Sequence, residues 1–251
     1  MEWSDRMQNA KCKMQIINYR LRQASVWTGG SLLSAFCLLL FGGAGRAALA
    51  DPDRIVLEDF SKGRVGEFPP GWGWRGKDDD KPKRYFIQEE GGRRHLNAKD
   101  DGLSVMIIKK APWSLRDYPI LTWRWRVKAL PPGGDERVGE KNDSAAGLYV
   151  IFSQNWFRIP KSIKYVWSTT LPVGTVADRK LIGRPRVLVL RSGKARVGEW
   201  VTERVNLFED YRRVWGGDPD EKTVGIAILT DADVTHTFAE ADYADIVVSR
   251  E

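Results

Sequence analysis

The sequence predicts an all-β protein, an antiparallel two-sheet β-sandwich of jelly-roll type with one short helix. Three observations predict it. Ten or more short apolar runs alternate at period two, each bounded by Gly, Asp or Pro. A single segment, residues 207–215, repeats at helical spacing. The Cys…Trp…Cys spacing of an immunoglobulin-type sandwich is missing, which favours a jelly roll, whose first and last strands pair.

The first fifty residues read differently from the rest. Lys11, Lys13, Arg20 and Arg22 form a basic start, the run LLSAFCLLLF (32–41) is apolar, and Ala48-Leu49-Ala50 is an A-x-A cleavage site. That order predicts a cleaved secretory signal peptide over residues 1–50, with Met1, Met7 or Met14 as the start. The alternative is a retained anchor, against which the apolar run falls short of the ~20 residues a spanning helix needs. Six of the forty basic and two of the thirty-three acidic residues lie in the leader, which leaves 34 against 31 and a net charge of +3. A nucleic-acid partner therefore has no support from charge. Cys12 and Cys37 both lie in the leader, so residues 51–251 carry no disulfide, thiol nucleophile or thiolate metal site. These 201 residues suffice for one core, read as a single domain and a monomer.

Strands are expected at RIVLEDF (54–60), RYFIQE (84–89), RHLNA (94–98), LSVMIIK (103–109), PILTWRWRVK (119–128), AAGLYVIFS (145–153), IKYVWST (163–169), RVLVLR (186–191), WVTERVN (200–206), TVGIAIL (223–229) and YADIVVS (243–249). EFPPGWGWRG (67–76) is too rich in Pro and Gly for regular structure, and DDDKPK (78–83) reads as a solvated turn. Run 119–128 is the plainest strand. Leu121, Trp123, Trp125 and Val127 share one face, and Thr122, Arg124, Arg126 and Lys128 share the other. Run 145–153 is apolar at both parities, as in a strand covered on both sides. In 207–215, Leu207, Phe208, Tyr211, Val214 and Trp215 make an apolar stripe that stops at Gly216-Gly217.

The ordered motifs FPPGW (68–72), LTWRWRV (121–127), KNDSAA (141–146), PVGT (172–175), NLFEDYRRVWG (206–216) and GIAILTDAD (225–233) resemble an exported bacterial family, domain of unknown function 3047. The resemblance implies an exported β-sandwich and carries over no activity. More loosely, LEDF (57–60) with PPGW and the closing YADIVV (243–248) are similar to the ends of jelly-roll carbohydrate-binding modules. In such modules acids on the paired first and last strands often hold a structural calcium.

The residues themselves offer five candidate groups. Arg124 and Arg126, about 6.5–7 Å apart on one strand face, suit an anionic group of a ligand; the alternative is pairing with Asp143, Glu209 or Asp210. Asn142 and Asp143 end a long loop and suit sugar hydroxyls or calcium, or plain turn hydrogen bonds. Asp231, Asp233 and Asp245, with Glu240 and Asp242 nearby in the sequence and Glu58 or Asp59 from the first strand, form the candidate calcium set; otherwise they are turn and cap residues. Glu209 and Asp210 sit on the helix and cannot face one sugar as a pair, so a glycosidase would need Glu209 with Asp143, or a lyase Arg124 with Tyr149. Trp72, Trp74 and Trp156, in loops, are candidate stacking platforms, and Trp113 reads as a plug. His95 and His236 lack the neighbours of a zinc site. No G-x-S-x-G, Walker or G-x-G-x-x-G motif occurs.

The leading expectation is a periplasmic or secreted sandwich that binds a glycan or other polar or anionic envelope ligand through Arg124, Arg126, Asn142, Asp143, Tyr149, Trp72, Trp74 and Glu209. No cofactor is expected beyond a structural calcium. The alternatives are a glycoside hydrolase or polysaccharide lyase, and a non-catalytic structural partner in the envelope.

Overall fold

The computed structural model describes residues 53–75, 84–154, 160–177 and 185–251, and among these described residues it has thirteen strands, one α-helix and one short 3-10 helix (Gly139–Lys141). The leader, the 78–83 turn and Trp156 lie outside the described residues. One sheet has the order β11-β6-β13-β4-β3, with β1 added on β13. Its strands are β1 (Arg54–Glu58), β3 (Tyr85–Glu90), β4 (Arg93–Asp100), β6 (Ile120–Ala129), β11 (Val201–Asn206) and β13 (Ala239–Ser249). The other has the order β2-β5-β12-β7-β8-β10-β9. It comprises β2 (Gly73–Arg75), β5 (Met106–Lys110), β7 (Ala146–Gln154), β8 (Pro160–Ser168), β9 (Val176–Ala177), β10 (Arg186–Ser192) and β12 (Gly225–Leu229). The first and last strands pair, Arg54 opposite Ser249. This is the expected sandwich, joined as a jelly roll joins its ends.

Alternation decides which side chains meet between the sheets. Trp123 and Trp125 of β6 point inward and are fully buried. They meet Tyr165 and Trp167 of β8, at ring-centroid distances of 5.6 Å (Trp123–Tyr165) and 6.2 Å (Trp125–Trp167). Each such ring removes on the order of 150–250 Å² from water, so these four side chains dominate the core. The core reading of both tryptophans holds. β7 is buried at both parities, as its composition predicts: Leu148, Val150 and Phe152 join the main core, while Tyr149 and Ile151 form a second cluster with Ala227 and Leu229 on the outer face.

The helix, α1 (Leu207–Trp215), matches its expected bounds. The Asn206 side chain accepts hydrogen bonds from the backbone N–H groups of Phe208 and Glu209, which satisfies two free donors of the first turn. Tyr211 and Trp215 of its apolar stripe pack on Phe152 at 5.0 and 5.8 Å and close one end of the sandwich.

Three features depart from expectation. Gly73–Arg75 pairs with β5 although it lies in the Pro/Gly-rich segment, because the prolines stop at residue 70 and leave the following N–H groups free to pair. β9 is a two-residue strand with no sequence signal. β8 and β10 run parallel, in an otherwise antiparallel sandwich; the connection between them, residues 169–185, is long enough for the crossover of a dozen or so residues that parallel pairing needs. Among the described residues no helix is long and apolar enough to cross a membrane.

Candidate functional site

Two polar clusters stand out, one at the rim where β7 begins and β12 ends, the other on the outer face of the six-stranded sheet. The first arises from register. Leu229 lies opposite Gly147, so the residues before β7 and after β12 come together, and Asp231 N–H continues the ladder to Ser144 O at 3.0 Å. Asp143 Oδ2 accepts from Thr235 N (2.7 Å) and Thr235 Oγ1 (2.5 Å), which folds the 231–235 segment back over the rim. Asp100, at the end of β4, accepts from Ala232 N at 2.8 Å and anchors the same segment from the other sheet. One carboxylate oxygen from each of Asp143, Asp231 and Asp233 lies within 4.8 Å of the others.

A buried lysine borders these acids. The stem of Lys164 crosses Gly147, where a Cβ would meet Lys164 Cε at 2.7 Å, so the glycine makes room for it. Lys164 Nζ donates to Ser144 Oγ at 2.9 Å, Ser144 Oγ donates to Glu136 Oε1 at 2.9 Å, and Ser168 Oγ donates to Glu136 Oε2 at 2.6 Å. The Tyr149 ring lies 5.6 Å from the ammonium. Burial pulls the Lys164 pKa down, but Tyr149, Asp231 and Glu136 more than reverse this and the ammonium is held above its ordinary range. Burial raises Asp231 well above the carboxylate range despite Lys164, and burial with the nearby Asp143 and Asp100 raises Asp233.

The second cluster spans four strands. Asp242 of β13, fully buried, accepts from Arg126 Nε (2.9 Å) and Nη2 (2.7 Å), and Lys128 Nζ lies 3.0 Å away. Asn97 of β4 donates to Asp242 at 2.8 Å and to Glu240 at 2.9 Å. Arg126 also pairs with Glu90 of β3 at 2.9 Å and holds that carboxyl below the ordinary range. Arg124 and Arg93 both reach Asp245, at 3.4 and 2.9 Å. Trp200, just before β11, lies over this network. Both the Arg124 and the Arg126 guanidinium are 4.7 Å from its ring, His95 packs edge-on at 5.4 Å, and its Nε1 points at Glu90 at 3.4 Å.

The sequence-derived site residues therefore divide. Asp143, Tyr149, Asp231 and Asp233 converge at the rim, with half-buried Asn142 beside them on the chain. Arg124 and Arg126 lie on the opposite outer face. Their partners are Asp242, Glu90 and Asp245 rather than Asp143, Glu209 or Asp210, and Arg126 is too fully paired to act as a free anion clamp. Asp245 is a correction to the calcium set: β13 carries it to the arginines, away from Asp231. Glu58 is too, since it accepts from Trp72 Nε1 at 2.8 Å and pairs with Lys109 at 2.6 Å. Trp72 is consequently no stacking platform; it is buried, stacked on Phe60 at 6.2 Å. Half-buried Trp74 sits on β2, edge-on to Phe68 at 5.9 Å and packed against the core. Trp113 is a buried plug, its Nε1 bonded to Tyr118 O.

Glu209 lines a cavity of about 290 Å³ between β10, β11 and α1, together with Leu188, Asn206, Asp210 and Arg213. Burial raises Asp210 there, and Tyr165 donates to it at 2.8 Å. Asp143 is not among the described residues lining that cavity, and Arg124 and Tyr149 sit on opposite outer faces. Arg124 and Tyr149, the pair required of a lyase, therefore do not meet. Sequence reasoning missed Lys164, Glu136 and Trp200, and it offered Asp242 only as a calcium ligand, whereas Arg126 and Lys128 hold it on the sheet face. A lysine in the middle of the apolar run IKYVWS was the available signal for Lys164.

Residues 72–247, which contain both clusters, match the family model described as protein of unknown function, DUF3047. The chain belongs to that family. No curated protein matches it. In fold the DUF3047 chain is similar to the family 30 carbohydrate-binding module of a Clostridium thermocellum cellulosomal cellulase, at 13% identity over 79% of this chain and 98% of that one, with a TM-score of 0.40. It is similar also to the K3 cleaved adhesin domain of Lys-gingipain from Porphyromonas gingivalis, at 13% identity, 78% and 98% coverage and a TM-score of 0.38. It is similar also to promiscuous carbohydrate-binding modules of the β-sandwich superfamily, at 14% identity and a TM-score of 0.36, over 76% of this chain; the chain spans 60% of that one.

Proposed function

We propose that this DUF3047 protein is exported and binds a glycan of the cell envelope on the outer face of its six-stranded sheet. The observation that carries this reading is Trp200, a half-buried indole laid across Arg124, Arg126 and His95 amid hydrogen-bonding side chains of four strands. The acids of this face, Glu90, Glu240, Asp242 and Asp245, are paired with Arg93, Lys99, Arg124, Arg126 and Lys128. A face so nearly neutral has little free charge for an anion. It retains fixed donors and acceptors and an aromatic ring, which suit the hydroxyls and the apolar face of a neutral sugar. The basic start, apolar run and A-x-A site of residues 1–50 support export.

The test is calorimetric titration of the protein with neutral and acidic envelope polysaccharides, beside Trp200→Ala and Arg124→Ala. Binding to a neutral polysaccharide that Trp200→Ala weakens at least tenfold, with the circular dichroism spectrum retained, is the expected result. Failure of the wild type to bind any of them removes the reading, and tighter binding to the acidic set replaces the neutral ligand with an anionic one. A periplasmic form lacking residues 1–50 by mass would establish the export step.

A further inference from the structure

Away from the sheet face, the rim cluster calls for a different ligand. We propose that Asp143, Asp231 and Asp233 hold a divalent cation of the calcium class, which ties the 231–238 segment to the start of β7. Three facts meet there. One oxygen from each of the three carboxylates lies within 4.8 Å of the others, inside the span that two calcium–oxygen bonds of about 2.4 Å bridge. Asp231, 4% exposed, has an Oδ1 with no hydrogen-bond partner, although a buried carboxylate oxygen is costly to leave unmatched. The surrounding charge is unbalanced. Asp100, Glu136, Asp143 and Asp231 are all buried and Asp233 is half-buried, and among the described residues the buried cation set beside them is Lys164, whose ammonium donates to Ser144.

The donor set selects the ion. It is made of oxygen, with no imidazole or thiolate, and so suits a hard cation. Two of the three ligands stand on one irregular segment, which tolerates the variable geometry of calcium better than the strict octahedron of magnesium. Asp143 already joins the two segments through Thr235, and a shared ion would join them a second time. None of the three acids lies on β1 or β13, and the inference is independent of any glycan reading.

The experiment is calorimetric titration of chelator-treated protein with CaCl₂, MgCl₂ and MnCl₂ separately, with thermal unfolding at each end point. One calcium per chain, a higher Tm in CaCl₂ than in EDTA, and weaker magnesium binding are expected. Asp233→Asn, the least buried of the three, should weaken calcium binding at least tenfold, and Asp245→Asn should leave it unchanged. Absence of both heat and Tm shift at 5 mM CaCl₂ would overturn the proposal and leave a set of carboxyls that share protons. Equal loss in Asp245→Asn and Asp233→Asn would overturn it also, by moving the ion to the sheet face. Should Asp231→Asn fail to fold, the Asp233→Asn comparison decides alone.

Discussion

The two polar clusters are built from the same residue types and reach opposite electrostatic ends. On the sheet face every named acid has a cation within 4 Å, and water reaches the rim of the network. At the β7–β12 rim several carboxylates surround one buried lysine, and an oxygen of Asp231 is unmatched. Balanced charge under an aromatic lid leaves no net charge to neutralise, although His95 Nε2, Asn97 Oδ1 and Arg124 Nε there have no hydrogen-bond partner. Unbalanced charge in a dry site asks for a proton or a cation. The contrast teaches that a count of charged residues says little here, and that the pairing decides.

The comparison breaks most sharply at Lys164. Lys164→Met keeps the stem over Gly147 and deletes the ammonium, which strands the Ser144–Glu136 chain and Asp231. Urea unfolding should show a loss of about 3–5 kcal/mol, the range for removing one member of a buried charged set. Asp242→Asn on the sheet face should cost less, about 1.5–3 kcal/mol, since Arg126 keeps Glu90, Lys128 keeps Glu240 and both cations reach water. If that loss equals or exceeds the one at Lys164, the distinction between a dry and a wetted network fails.

His95 sharpens the same point through pH. Burial lowers its pKa from the ordinary value of 6.5, helped by Arg126 and Lys128 and opposed by Asp242 and Glu90. Its folded pKa lies below the unfolded one, so the unfolded chain takes up a proton first. Stability is therefore full above about pH 6.5 and falls as the pH drops from there towards the folded pKa. His95→Gln should flatten that limb of the pH–stability curve, and an unchanged slope would assign it to other groups. The smallest effect belongs to Asp245→Asn, where a partly exposed pair with Arg93 and Arg124 should be worth no more than about 1 kcal/mol and should weaken further in 0.5 M salt.

Most of the fold was legible because it is written at short range. Period two in 119–128 already separates the Trp123 and Trp125 face from the Arg124 and Arg126 face, and the spacing of Leu207, Tyr211 and Trp215 with Gly216 beyond bounds α1. The site was legible only in pieces. Asp231 and Asp233 announce themselves as an alternating pair, but Asp143 joins them only through the register of β7 on β12, nearly ninety residues away. Asp245 has the same composition as its neighbours in the sequence and goes elsewhere, because β13 shifts register between Ala244 and Val247. Trp72 shows the converse. A Pro/Gly segment hides the buried carboxylate, Glu58, that receives its indole N–H.

The pairing of β1 with β13 has a mechanical side. Arg54 faces Ser249, and Arg250 N–H bonds to Asp53 O at 3.0 Å, so the two ends of the sandwich leave it at one corner. Tension applied through residues 53 and 250 would open that ladder one rung at a time instead of loading all its hydrogen bonds together. Peeling of this kind yields at low force. Joining the two ends by a short linker and reopening the chain at a surface loop would remove that weak point without touching either polar cluster.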